Sequence, residues 1–139
     1  MMDREQAAAI LRDSFELVRQ KEEDFARSVY SYLFFSAPSA RALFSHTNWP
    51  QQQKMLMGAL ILMVKNLHNP SLFRTTMRAL AERHVRYGVK AEYFAPFNQA
   101  VRQSLEQHLG KDWCPAVEEA WEYAFAQIRE LMLEAGVPT

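Results

Sequence analysis

The sequence predicts an all-α domain of about seven helices. In its long stretches apolar residues recur at three- and four-residue intervals, the helical period, and no stretch alternates as a strand does. Proline and asparagine sit together at the points where such stretches begin. The 139 residues, 49% of them hydrophobic, suit one domain spanning 1–139 with one sizeable core. No heptad is sustained, so the helices are expected to form a globule rather than a coiled coil.

Asp3 is placed to cap a first helix running to about Arg19, with Ala7, Ile10, Leu11, Phe15 and Val18 facing inward. A second helix is expected from about Glu22 to Phe35. Pro38 opens a short helical turn ending near Phe44. Asn48 with Pro50, and Asn69 with Pro70, mark the starts of the next two helices. Phe94, Phe97, Val101 and Leu105 form the stripe of a fifth long segment; Val117, Trp121, Phe125, Ile128 and Met132 form that of the last. Gly110 and Gly136 close these two helices.

Sixteen Lys and Arg balance sixteen Asp and Glu, which gives no reason to expect nucleic acid or an anionic membrane as partner. The most apolar run, Met55 to Val64, is shorter than the roughly 18 residues that span a bilayer and reads as a buried helix. The N-terminus mixes acids and bases and lacks the basic start and apolar stretch of a signal peptide. Cys114 is the only cysteine, so no internal disulfide or cysteine-based zinc site is expected, and a reducing cytoplasm fits best. Just ahead of Pro115, Cys114 reads as a small buried filler. No Ser/His/Asp order, phosphate loop or paired carboxylates stand out.

His84 is the informative histidine, because Met77, Leu80 and Ala81 put it on the apolar face of its helix. That face alone establishes burial, which suits a hydrogen-bonded core histidine as well as a metal ligand. The Leu80 carbonyl, one turn earlier, is in reach of the ring. His46 and His68 lie in or beside connections, and His108 ends a helix where a cation is favoured; none is assigned a metal.

Tyr30, then Leu33-Phe34, Pro38 and Phe44 resemble a stretch of bacterial globins and of the globin domain of flavohaemoglobins. There a distal tyrosine, a leucine-phenylalanine pair, a proline and a haem-stacking phenylalanine recur at these spacings. Arg83-His84 followed by Tyr87-Gly88-Val89 resembles the family's segment around the proximal histidine, and Ala120-Trp121 with its helix resembles the last helix, so the likeness runs through essentially the whole chain. The resemblance implies a globin fold around a b-type haem whose iron is bound by His84, with Phe44, Leu56, Leu80, Val89, Phe94 and Phe97 lining the pocket and Tyr30 on the distal side. It also implies a distal glutamine, for which Gln51, Gln52 and Gln53 compete. Counting from His84 favours Gln52 with Leu56, the preferred assignment, and counting from Phe44 favours Gln51 with Met55. Arg83, Arg86 and Lys54 are candidate partners for haem propionates.

Two departures from the family pattern stand out. Flavohaemoglobins place a tyrosine and a glutamate behind the proximal histidine; here those positions fall on Phe94 and near Gly136, with Tyr93 and Glu134 as offset neighbours. The sequence includes no flavin or nicotinamide domain, so redox turnover calls for a separate reductase. The expected function is therefore reversible binding of dioxygen, and of nitric oxide and carbon monoxide, for oxygen retention, transport or sensing. Nitric oxide dioxygenase activity with an external reductase is the alternative, and an all-α interaction module without haem a third. A monomer, or a homodimer through the last two helices, suits either of the first two.

Overall fold

The computed structural model describes residues 2–139. Six α-helices carry the architecture: α1 (Arg4–Arg19), α2 (Glu22–Ser36), α3 (Trp49–Asn66), α4 (Pro70–Arg86), α5 (Phe94–Leu109) and α6 (Pro115–Ala135). A seven-residue 3-10 helix, Pro38–Phe44, links α2 to α3 and supplies the seventh expected segment. No strand occurs among the described residues.

The helix starts follow from their caps. The Asp3 carboxylate accepts the Gln6 backbone N–H at 2.8 Å and the Gln6 amide oxygen accepts that of Asp3 at 3.1 Å, a reciprocal capping box. Asn48 and Asn69 accept the backbone N–H three residues on, each at 3.2 Å, ahead of Pro50 and Pro70.

Packing joins helices far apart in sequence: α2 lies against α5, and α6 against both α1 and α4. Phe25, Val29 and Leu33 of α2 and Val101 and Leu105 of α5 are buried in the main core with Leu11, Phe15 and Trp121. A smaller core of Ala81, Met132 and Val137 lies between the ends of α4 and α6 and takes up Val85, Ala91 and Phe94. Two expectations fail. Cys114 is exposed, because Pro115 starts α6 at the surface and turns the residue before it outward. The run from Met55 to Val64 is only partly buried: Met55 and Leu62 lie on the outer face of an amphipathic α3.

The core holds one polar contact whose removal is informative. The Trp121 indole N–H donates to the Ser14 hydroxyl at 2.9 Å, and that hydroxyl donates to the Ile10 carbonyl at 2.7 Å. Ser14→Ala leaves a buried N–H without an acceptor and is expected to cost about 1 to 3 kcal/mol, read as a lower urea midpoint. Trp121→Phe removes the stranded donor, so the double variant is expected to lose less than the sum of the two single losses.

Candidate functional site

His84 owes its position to how α4 ends. Gly88 takes φ of +80°, a left-handed conformation that glycine adopts without strain, and stops the helix one turn beyond His84. The Gly88 N–H then donates to the Val85 carbonyl at 3.1 Å and the Val89 N–H to the His84 carbonyl at 3.2 Å. These are the paired bonds of a Schellman motif, and they hold the His84 backbone directly. Gly136 ends α6 in the same way, with Val137 donating to Met132. The two ends are tied together where the Ala91 N–H donates to the Pro138 carbonyl at 2.8 Å.

The His84 ring is fixed by Nδ1, 2.8 Å from the Leu80 carbonyl oxygen. A carbonyl only accepts, so Nδ1 carries the proton and the lone pair of the neutral ring lies on Nε2. Burial pushes the imidazole below its ordinary value of 6.5, the Leu80 bond opposes that, and the Arg83 charge adds to it. The neutral ring, the form that ligates metal, is therefore favoured. A histidine bonded to the carbonyl four residues back is not in itself a ligand, since His108 makes the same bond to Ser104 while packing edge-on against Phe25. Leu80, Val85, Val89 and Phe97, on α4, the connection after it and the start of α5, are half-buried. The exposed Tyr87 ring lies edge-on to the imidazole, 5.9 Å away.

The second candidate, Tyr30, stands on α2 and is only 6% exposed. Burial raises its phenol above the ordinary 10.0, against a lowering hydrogen bond from Gln52, so it is a neutral hydroxyl. The Gln52 side-chain amide donates to that hydroxyl oxygen at 2.9 Å. Of the three adjacent glutamines, Gln52 is thus the one that reaches Tyr30. Gln51 is exposed, its backbone N–H held by the Asn48 cap. Leu56, one turn after Gln52, is buried, whereas Met55 is 46% exposed. Phe44 meets Tyr30 edge-on at 5.5 Å. Trp49, which sequence reasoning passed over, meets Tyr30 edge-on at 5.2 Å and stacks on Phe44 at 5.7 Å. Its only signal was a large aromatic between the Asn48 cap and Pro50.

The residues offset behind the histidine are engaged elsewhere. The Tyr93 hydroxyl lies 3.1 Å from the Ser39 hydroxyl, and Glu134 accepts from Arg74 at 3.0 and 3.2 Å. Phe94 lies in the smaller core with Ala81 and Met132. Arg83, Arg86 and Lys54 are exposed, as are His46 and His68.

A family model described as Globin matches residues 27–132. The chain is a globin. Membership supports haem binding in general. A flavohaemoprotein of Bordetella pertussis is 25% identical over 127 residues, covering 90% of this chain. This chain spans about a third of that protein's length, 32%. An uncharacterised globin-like protein of Aquifex aeolicus is 23% identical over 121 residues, 86% of each chain. A Pseudomonas aeruginosa protein described as structurally highly homologous to a human haemoglobin superposes with a TM-score of 0.84 at 18% identity, over 96% of this chain and 99% of that one. A Campylobacter jejuni globin gives 0.78 at 22% identity, over 94% of each.

The donor set fits haem. Among the described residues no group of three His, Cys, Asp or Glu is arranged to hold a metal ion. One neutral imidazole suits a metal that arrives with its other ligands in a flat macrocycle. His84 also sets a pH dependence. Its folded value is depressed, so the unfolded chain binds the proton more readily; stability is full above about pH 6.5 and falls as pH drops through the folded value. The urea midpoint of the haem-free globin is expected to fall between about pH 7.5 and about pH 5, and His84→Gln to lose that part of the slope.

Proposed function

We propose that this globin holds b-type haem through His84 Nε2 and binds dioxygen reversibly, with nitric oxide and carbon monoxide as further ligands, for oxygen retention, transport or sensing in a reducing cytoplasm. The observation that carries this reading is the 2.9 Å bond from the Gln52 amide to the Tyr30 hydroxyl oxygen. By filling the phenol's acceptor side, Gln52 leaves the Tyr30 proton free to be donated. A bound haem would supply an iron able to take up a diatomic gas and to pass negative charge to it. Tyr30 would donate to the charged gas, Gln52 would hold the phenol in place, and Phe44, Leu56, Leu80, Val89, Phe94 and Phe97 would line the slot and keep bulk water out. Leu80 would also fix the tautomer of His84. A hydrogen bond to a charged group contributes about 1.5 to 3 kcal/mol, roughly ten- to a hundredfold in affinity and mostly through slower release.

Tyr30→Phe is accordingly expected to speed dioxygen release about ten- to a hundredfold in stopped-flow measurements; an unchanged rate removes Tyr30 from the mechanism. His84→Ala is expected to weaken the strong visible absorbance of the purified protein, because the iron loses its protein nitrogen.

Nitric oxide dioxygenase activity with a separate reductase draws support from the flavohaemoprotein relatives. It ranks second because Tyr93 and Glu134 are committed to Ser39 and Arg74 rather than to the histidine. Aerobic nitric oxide consumption in the presence of a generic reductase separates the two readings: a single stoichiometric turnover supports gas binding, and sustained turnover supports catalysis.

A further inference from the structure

We propose that Trp49 is a positioning residue, which fixes Tyr30 in its donating orientation by gripping its ring while Gln52 grips its hydroxyl. The inference rests on the gas-binding reading above for its consequence, but its geometry stands on the haem-free chain. Trp49 and Gln52 are three residues apart on the first turn of α3 and therefore on one face of it. From that face the indole meets the Tyr30 ring edge-on at 5.2 Å, with planes at 68°, and the amide reaches the phenol oxygen at 2.9 Å. Tyr30 is held at both ends by a single helical turn.

The indole does a second thing. It stacks on Phe44 at 5.7 Å with planes at 26°, and meets Phe34 edge-on at 5.8 Å, while Phe34 meets Phe44 edge-on at 5.5 Å. Four rings thus form a closed set in which each of the other three touches Trp49. The set connects the distal hydroxyl to the phenylalanine at the haem-stacking position. A phenol turns easily about its side-chain torsions, and one hydrogen bond at its tip leaves the ring free to swing. Edge-on and stacked partners restrict that swing, because their attraction depends on mutual orientation. The α3 turn that carries the clamp is independently fixed by the Asn48 cap, so replacing the indole does not remove what starts the helix.

The test compares the wild type with Trp49→Leu, Trp49→Phe, Tyr30→Phe and the double variant Tyr30→Phe/Trp49→Leu, using dioxygen release rates and the infrared stretch of bound carbon monoxide. Trp49→Leu is expected to speed release about two- to tenfold, the factor corresponding to loss of one aromatic pair, and to split or broaden the carbon monoxide band as Tyr30 samples several orientations. Trp49→Phe keeps an edge-on ring and falls between. In the Tyr30→Phe background Trp49→Leu is expected to change neither reading. A tryptophan that only fills space would shift release equally in both backgrounds, or in neither, and either result overturns the proposal. The haem-free protein provides a separate arm: Trp49→Leu is expected to move the Gln52 side-chain amide resonance to its solvent-exposed position, and an unmoved resonance overturns the proposal. If that resonance moves while no variant, wild type included, takes up haem, the gas-binding reading fails and the positioning of Tyr30 stands.

Discussion

The hydrogen bond from His84 Nδ1 to the Leu80 carbonyl is the constraint from which the site follows, because a neutral imidazole has one proton to place and a carbonyl decides where it goes. With the proton on Nδ1, the lone pair is on Nε2 and the ring is oriented by its own helix rather than by a distant side chain. Burial keeps the ring neutral. The Schellman motif after Tyr87 makes the arrangement rigid by binding the His84 carbonyl to Val89. Backbone chemistry within one turn on either side of His84 thus accounts for tautomer, orientation and position.

The Tyr30–Gln52 pair is built on the opposite principle. There the polar groups come from different helices, Tyr30 from α2 and Gln52 from α3, and meet through side chains alone. Such a pair needs its rings packed before its hydrogen bond has a defined direction. Phe34, Phe44 and Trp49 supply that packing. One consequence is a division of labour: local backbone bonds fix His84, whereas tertiary contacts fix Tyr30.

This division also explains how much could be read from the sequence. The helices, their caps and the inward face of His84 were legible because period, proline, asparagine and glycine act locally. Gln52 was separable from Gln51 only by counting along α3 and α4 from the histidine, since the Phe44–Asn48 connection does not keep helical register. Tyr93 and Glu134 could be recognised as offset, but not where they would go; Ser39 and Arg74 lie on other elements and leave no mark next to them in the chain. Trp49 was missed because its partners, Tyr30, Phe34 and Phe44, are brought to it by the turn at Pro38, and an aromatic at a helix start carries no periodic signal. Cys114 misled because hydrophobicity predicts burial of a residue type, while a cap position before Pro115 dictates exposure.

The bond between Ala91 and Pro138 bears on the order in which this globin is made. The connection after α4 is backed by Met132, Val137 and Pro138, residues that leave the ribosome after α4 and α5. Helices α1 to α4 can emerge and collapse, yet the loop after α4 has no fixed backing until α6 docks. Ligand binding stabilises only the state that presents the finished site. Completion of the loop after His84 therefore waits for α6, and the nascent chain must remain soluble until that helix has docked.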